Sequence, residues 1–303
     1  MKKLAKLIII LVLVMVSGCT TQKKEENARV IDTSMFLYKV SNQEGNYSYL
    51  FGTCHPGRYP IKSLDKTIEK ALDESDSIYL ECDMKPSPKE TEEITKYNTY
   101  NSIRDLGLED KYENLMKQYK SLKGKPGYAL YNVFVINSLI NSDSEVLNKA
   151  NISKFSAIDK YIYEYAQKKK NFKEVEGIEF QMKLITELSG DYSETILDNL
   201  ANKEMVIKNA KEDLDAYYSG NTQYYEDEQN LLLNQLEQLN DSDKEKYWNI
   251  LAYNRNIHMK DTLADSIHNN KHDFIGVGCK HLYGKKGIIQ LLKDDGYLVE
   301  CMK

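Results

Sequence analysis

Two copies of a Gly-x-x-His pattern near opposite ends of the chain carry the residues best suited to chemistry. The first copy is residues 52–55 (GTCH), ending at His55, and the second is residues 278–281 (GCKH), ending at His281. Each follows a short apolar, β-prone run, so each imidazole is expected just beyond the carboxyl end of a strand. Open α/β sheets bind ligands at that edge, and strands distant in sequence can be neighbours. The repeat therefore predicts one site with two histidines.

Two neutral imidazoles and a carboxylate suit a divalent ion such as zinc, manganese or cobalt, which the sequence does not separate. Such a site leaves coordination positions open, and the ion lowers the pKa of a bound water towards about 7, which gives a hydroxide able to attack a carbonyl. A histidine paired with a carboxylate can instead act as a general base on water without a metal, which would make the protein an esterase-like hydrolase. Both interpretations predict a hydrolase.

The elements around the first motif predict a βαβ unit. Residues 35–40 and 47–51 are expected to form a hairpin around a turn-rich connection. A helix is expected over residues 63–73, with Ser63 as its cap, followed by a strand over residues 77–80 that ends at Glu81. Strand, helix, strand in that order places His55 and Glu81 at the same edge of a parallel pair.

The C-terminal part repeats this order. Residues 274–277 predict a strand leading into the second motif, and a short helix closed by Gly296 precedes a last strand over residues 297–301. Residues 86–270 are mostly helical in pattern. We therefore expect an α/β (α+β) fold whose central mixed sheet comes from both chain ends, with the long helical region covering the cleft. Two apolar stripes predict helices that pack against the rest of the protein. One stripe is Ile158, Ile162, Tyr165 and Ala166, and the other is Leu232, Leu236 and Leu239.

One helix of the middle region carries a charge on its apolar face. Arg255 shares that face of the helical wheel with Trp248, Leu251, Met259 and Leu263. Because an unpaired buried charge is costly, Arg255 is expected to meet a carboxylate of the protein or an anionic part of a substrate or transition state. A structural salt bridge or a snorkelling side chain is the alternative. The other histidines are expected at the surface: His258, His268 and His272.

Composition limits the classes of partner. The chain has 303 residues, of which 41% are hydrophobic and 29% charged, enough to bury the core of one large domain or of a domain with an insertion. The net charge of -5 argues against binding to nucleic acid. The chain has 23 tyrosines, and tyrosine at helical spacing is more typical of a half-buried core edge than of a base-stacking surface.

The first residues resemble a bacterial lipoprotein signal peptide. Three lysines at positions 2, 3 and 6 precede an apolar run over residues 7–16, and small residues stand directly before Cys19. The run is shorter than the roughly 20 residues that span a bilayer. We expect cleavage after residue 18, a lipid on Cys19 that tethers the protein to the outer face of the membrane, and a flexible tether over residues 19–33. A secretory signal with a chance cysteine is the alternative.

Taken in sequence order, these motifs resemble the TraB/PrgY/GumN family, to which the membrane-tethered Tiki metallopeptidases are related. The resemblance covers residues 34–303 and rests on an ordered set: residues 50–55 (LFGTCH) with 59–60 (YP), 80–83 (LECD), 177–179 (GIE), 254–256 (NRN) with Met259, and 278–284 (GCKHLYG) with 296–297 (GY). Any one Gly-x-x-His is a weak signal, whereas the set is specific.

The resemblance implies roles for individual residues. Tiki-type members need two histidines, an acidic residue and an arginine for metal-dependent peptide cleavage, and the similar positions here are His55, His281, Glu81 or Glu179, and Arg255. We expect His55, His281 and Glu81 to hold the metal. The second carboxylate would be the general base, and Arg255 would stabilise an oxyanion or hold a peptide carboxylate. Lys280 stands where the family more often has a small residue, so either its side chain faces away or no metal binds.

The resemblance also leaves a non-catalytic alternative. Some family members limit the response to peptide pheromones, and a protein can do so by sequestering peptide without cleaving it. In either role the expected partner is a peptide or protein segment. Four further cysteines can form disulfides in three connectivities, supply a thiolate to a metal, or pack as small apolar groups: Cys54, Cys82, Cys279 and Cys301.

Overall fold

The computed structural model describes residues 28–153, 157–227 and 239–303. The predicted signal peptide (residues 1–18), the lipidation site Cys19, and Leu232 and Leu236 of the second apolar stripe lie outside the described residues. Arg29–Ile31, within the predicted tether, forms strand β1 and pairs in parallel with β4 (Ile61–Leu64). The ordered body therefore begins before residue 34.

The central sheet has six strands and is mixed, as predicted. Its spatial order is β6-β5-β7-β3-β2-β8. The strands are β2 (Leu37–Ser41), β3 (Tyr47–Thr53), β5 (Ser77–Leu80), β6 (Asn171–Glu174), β7 (Phe274–Gly278) and β8 (Leu298–Cys301). Neighbouring strands from β6 to β3 are parallel, and β2 runs antiparallel to both of its neighbours. The sheet thus comes from both chain ends, with β6 added at one edge from the middle region.

Two details differ from the sequence prediction. Strand β7 lies between β3 and β5, so the two strands of the predicted βαβ unit share an edge of the sheet without pairing directly. Helix α1 (Lys66–Glu74) begins later than predicted because Asp65, not Ser63, is its N-cap and accepts a hydrogen bond from the Thr67 amide at 2.8 Å. Ser63 lies in β4.

Helices fill most of the middle of the chain, as the pattern predicts. They are α2 (Pro88–Tyr97), α3 (Glu109–Gln118), α4 (Val133–Asn141), α5 (Ser144–Ala150), α6 (Ile158–Lys169), α7 (Ile178–Leu200), α8 (Lys203–Ser219), α9 (residues 222–227), α10 (Asp241–Trp248), α11 (Asn254–His268) and α12 (Ile288–Asp294). A π-helical turn, Asn249–Tyr253, joins α10 to α11. In the part of the chain that the structure describes, no helix is both long and apolar enough to cross a membrane.

Two hydrophobic cores hold these elements together. The first packs α1, α6, α11 and α12 against the central sheet, and it includes the predicted stripe of Ile158, Ile162 and Ala166. The second lies within the helical region, where α7 packs against α2, α3 and α4. Because α6 and α11 belong to the sheet core, both helices are fixed relative to the strand ends that carry the histidines.

Candidate functional site

The two Gly-x-x-His motifs leave the sheet side by side. Strands β3 and β7 are adjacent and parallel, and their last residues, Thr53 and Gly278, are register partners. The strands approach closely here: a Cβ on Gly52 would lie 3.0 Å from the Cβ of Cys279. Glycine in the first motif therefore allows the second motif to pack against it.

His55 is oriented by a carboxylate from helix α6. Its Nδ1–H donates a hydrogen bond to Oδ2 of Asp159, which lies in the first turn of that helix. The Ile158 amide donates to the carbonyl of Cys54 at 3.3 Å, which ties the start of α6 to the histidine loop. Burial lowers the pKa of His55, but the charge and hydrogen bond of Asp159 outweigh burial and raise the pKa to about 9.

His281 is oriented by an amide from helix α11. Its Nδ1 lies 2.6 Å from Oδ1 of Asn256, whose Nδ2 donates to the Lys286 carbonyl at 2.8 Å. Since the second bond fixes the orientation of the amide, Nδ1 of His281 must carry the proton, and Nε2 keeps its lone pair. Burial and the nearby Arg255 lower the pKa of His281 to about 3, so this imidazole is neutral at physiological pH.

Glu81 lies between the motifs and is bonded on both oxygens. Oε1 accepts from the Gly278 amide at 2.7 Å, and Oε2 accepts from Nη2 of Arg255 at 2.7 Å and from Nε2 of Gln181 at 3.2 Å. Burial alone would raise the pKa of Glu81, but Arg255, the two histidines and the Gly278 amide lower it to about 2. Glu81 is therefore ionised throughout the physiological range and links β5 to the second motif.

Arg255 is buried, as the helical wheel predicts, with 2% of its side chain exposed. Its partners are carboxylates of the protein: besides Glu81, Nε and Nη2 each donate to Glu176 at 2.8 Å. Nη1 faces the Leu251 carbonyl at 3.5 Å. Because its donors point at protein groups, Arg255 holds the two glutamates in place, and the geometry does not direct it at an oxyanion.

Glu176, not Glu179, is the second carboxylate of this network. The side chain of Glu179 is 63% exposed and pairs with Lys183 at 2.7 Å on the surface of α7. Gly177 adopts φ +79°, a left-handed conformation that turns the chain from β6 into α7. This turn leaves the Glu176 side chain fully buried against Arg255. The structure therefore does not bring Glu179 together with the other predicted site residues.

A cavity of about 20 Å³ opens beside His55. Its polar lining residues are Thr53, His55, Glu81, Asp159 and Gln181. Among the described residues, Oδ1 of Asp159 is a buried oxygen without a hydrogen-bond partner. A cavity of roughly 10–15 Å³ suffices for one water. The space therefore suits a single water or ion that bonds to Asp159, and a larger substrate must approach from outside it.

Imidazole and carboxylate groups are suitable ligands for a divalent transition metal, but the described side chains do not surround a common point. Nδ1 of each histidine is bonded to Asp159 or Asn256, an arrangement typical of metal-binding imidazoles, which then coordinate through Nε2. Within residues 28–153, 157–227 and 239–303, no three His, Cys, Asp or Glu side chains converge closely enough to enclose an ion. Each imidazole can therefore bind a metal through Nε2, whereas the Glu81 carboxylate already accepts hydrogen bonds from other groups of the protein.

The remaining predicted residues lie around this centre. Lys280 faces away from it, with Nζ 2.7 Å from Oδ2 of Asp213 on α8. Among the described residues, Cys54, Cys82, Cys279 and Cys301 form no disulfide, and burial raises the pKa of Cys54 and of Cys82. His258 and His268 are exposed and His272 is partly exposed, close to the surface positions predicted for them.

The sequence analysis missed four residues that hold the site together: Asp159, Glu176, Gln181 and Asn256. Asn256 had a local signal, since it follows Arg255 in the same NRN run and so belongs to the same turn of α11. Asp159 had a weaker one, since it is an acidic residue in the first turn of an amphipathic helix, where the helix dipole alone would explain it.

A model of the TraB/PrgY/gumN family matches residues 36–301, nearly the whole chain, and the chain belongs to this family. No curated protein and no solved structure matches it.

Proposed function

We propose that this member of the TraB/PrgY/gumN family is a metal-dependent hydrolase that cleaves peptide bonds at the strand edge where His55 and His281 meet. The observation that supports the proposal most is the shared orientation of the two rings. Each histidine is held through Nδ1, by Asp159 or by Asn256, which leaves Nε2 as the ring nitrogen that would bind a metal. We further propose that the lipid on Cys19 keeps this activity at the outer face of the membrane.

Zinc, manganese or cobalt would be held by Nε2 of His55 and His281, with Glu81 as the proposed carboxylate ligand. A bound metal would supply Lewis acidity, which lowers the pKa of a water so that hydroxide forms near neutral pH and can attack a carbonyl. The pKa of about 3 keeps His281 unprotonated and ready to bind. His55 must lose a proton first, because Asp159 raises its pKa to about 9.

The protein groups provide orientation and proton transfer. Asp159 lines the cavity, and its buried Oδ1 has no hydrogen-bond partner among the described residues, so it would accept a proton from a water bound there. Glu81, with a pKa of about 2, is too weak a base for that step at neutral pH and serves as a fixed negative charge. Arg255 and Gln181 position Glu81, and Glu176 in turn positions Arg255.

One observation favours a second candidate, a metal-free hydrolase. The hydrogen bond between His55 and Asp159 forms a histidine–carboxylate pair, which can activate water as a general base without a metal. In this form Nε2 of His55 would take the proton from water, and the reaction would require the neutral imidazole. Its rate would then rise with pH up to the pKa of His55, which is about 9.

The test is elemental analysis of the mature chain purified in detergent, beside a His55→Ala, His281→Ala double variant. The proposal expects near-stoichiometric transition metal in the native chain, none in the variant, and cleavage of peptides that a chelator abolishes. Absence of metal after incubation with zinc, manganese and cobalt would overturn the metal-dependent proposal. Chelator-resistant cleavage would then establish the metal-free candidate, and peptide binding without cleavage would establish a sequestering protein.

A further inference from the structure

A basic loop, residues 117–131, connects the end of α3 to the start of α4. Residues 114–142 contain no aspartate or glutamate, although the whole chain has a net charge of -5. Four lysines of the loop are exposed: Lys117, Lys120, Lys123 and Lys125. None of them forms an ion pair within residues 28–153, 157–227 and 239–303. The loop therefore presents positive charges that no carboxylate of the described residues pairs with.

Backbone hydrogen bonds give the basic loop a fixed shape. The Lys123 amide donates to the Tyr119 carbonyl at 3.1 Å, which closes a tight turn after α3. The chain then forms a 3-10 helix over Pro126–Leu130. The Arg104 amide donates to the Ala129 carbonyl at 2.9 Å, which joins this helix to the segment that follows α2. The lysines and the residues after them thus belong to one ordered element.

Apolar and aromatic side chains are exposed beside the lysines. Leu130 is 47% exposed, and Tyr100, in the segment that follows α2, is 38% exposed. Tyr128 and Tyr131 are partly exposed, with ring centres 5.9 Å apart. Nζ of Lys125 lies 5.1 Å from the ring centre of Tyr128. Tyrosine and lysine next to an exposed aliphatic side chain are typical of protein surfaces that meet the headgroup region of a bilayer.

We propose that the basic loop, together with Tyr100, docks on the surface of an anionic phospholipid membrane. The lysines would bind the phosphates of the headgroups, and Leu130 with the tyrosine rings would enter the boundary between headgroups and acyl chains. A membrane satisfies both kinds of side chain at once, because it presents negative charge directly above an apolar phase. The docking surface does not depend on the proposed hydrolase.

The proposed lipid on Cys19 would keep such a membrane within reach. Arg29, the first residue of β1, follows Cys19 by ten positions. A chain of that length extends at most about 35 Å. The anchored body would therefore stay close to the bilayer, and the basic loop would select the orientation in which the helical region faces the lipid.

The experiment is co-sedimentation of residues 20–303 with phospholipid vesicles. This chain lacks the signal peptide and the lipid but keeps every residue that the structure describes. The vesicles contain phosphatidylcholine alone or with about one third phosphatidylglycerol, and we expect binding at least about ten-fold tighter to the anionic vesicles and weaker at high salt. Lys120→Gln combined with Lys123→Gln should weaken this binding about 20-fold, since each lysine near such a surface contributes roughly five-fold. Leu130→Ser should weaken it about five-fold or more.

Matched controls separate the loop from general charge and general apolar exposure. Lys62→Gln combined with Lys293→Gln removes two exposed lysines elsewhere, on β4 and α12. Leu298→Ser removes a leucine that is 57% exposed on β8. Both should bind like the native chain. Equal binding to the two kinds of vesicle, or equal losses in the loop variants and the controls, would overturn the proposal.

A fluorescent variant reports directly on entry of the loop into the bilayer. The chain has one tryptophan, Trp248, which is 7% exposed. Leu130→Trp adds an indole at an exposed position, and its emission should shift to shorter wavelength when anionic vesicles are added, whereas emission of the native chain should not change. An unshifted emission from vesicle-bound Leu130→Trp would overturn entry of the loop into the bilayer. Metal content and peptide cleavage, measured without vesicles, decide the hydrolase separately.

Discussion

Replacing Glu176 and Glu179 separately by glutamine tests which glutamate belongs to the site. The two residues are three positions apart, and the family pattern favours Glu179. Glu176 accepts three hydrogen bonds, two from Arg255 at 2.8 Å and one from Gln181 at 3.1 Å, and its side chain is fully buried. Glu179 pairs only with Lys183 among the described residues, at the surface.

The expected magnitude follows from the bonds that Glu176→Gln breaks. The glutamine amide must turn its NH₂ towards a donor of Arg255 or Gln181, so at least one charge-assisted hydrogen bond is lost, each worth about 1.5–3 kcal/mol. Losing a partner of a buried charge raises the cost to roughly 3–5 kcal/mol. We therefore expect a loss of about 3 kcal/mol, or about 6–12 °C in Tm at roughly 2–4 °C per kcal/mol.

Thermal unfolding followed by circular dichroism measures both variants in the same buffer. Glu179→Gln should change Tm by no more than about 1 °C, because exposed ion pairs contribute little. Peptide cleavage or metal content should likewise fall for Glu176→Gln and stay unchanged for Glu179→Gln. An unchanged Tm for Glu176→Gln, or an equal loss in the two variants, would refute the assignment of Glu176 as the residue that positions Arg255.

Three further predictions concern the histidines and the strands that carry them. Asp159→Asn should lower the pKa of His55 from about 9 towards its ordinary value near 6.5, measured by NMR titration of the imidazole, and an unshifted titration would show that Asp159 does not control this ring. The pKa of His281 in the folded state, about 3, is below its value in the unfolded chain, so its contribution to stability is present above pH 6.5 and is lost as the pH falls towards 3. His281→Gln should therefore make Tm decline less steeply between pH 6.5 and 3. An unchanged slope would contradict the burial of a neutral ring. Gly52→Ala should lower Tm by several degrees because its Cβ would lie 3.1 Å from the Cα of Cys279, whereas Gly127→Ala, where nothing lies within 4 Å, should not, and equal effects would refute the close approach of the two motifs.

The sequence was sufficient to place the strands that carry the site residues, but not to order them in the sheet. Each site strand is a short apolar run followed by a polar residue, and this local pattern placed His55, Glu81 and His281 at strand ends. Strand pairing is decided by contacts between residues far apart in sequence. Strand β7 lies between β3 and β5 in the sheet, although nearly 200 residues separate it from β5 in the chain. The insertion of β7 brings the Gly278 amide to Glu81, a contact that no local pattern indicates.

The partners of the site residues were harder to predict than the residues themselves. The helical wheel predicts that Arg255 is buried, because periodicity reports which face of a helix packs inward. It does not identify the carboxylate that Arg255 meets. Glu174, Glu176 and Glu179 lie close together in sequence, and the choice among them depends on the left-handed turn at Gly177. That turn depends on how β6 joins α7, which is a tertiary feature.

Helix α11 contacts both halves of the site, the carboxylate network around Glu81 and the neutral imidazole of His281. Arg255 and Asn256 are consecutive residues of one rigid helix, and they hold Glu81 and His281 respectively. The π-helical turn directly before them, Asn249–Tyr253, inserts an irregular step between the second core and the sheet core, and such turns are frequent at functional sites. A displacement of α11 would therefore move the carboxylate network and the neutral histidine together. The helix thus couples packing of the helical region to the geometry at the strand edge that carries the histidines.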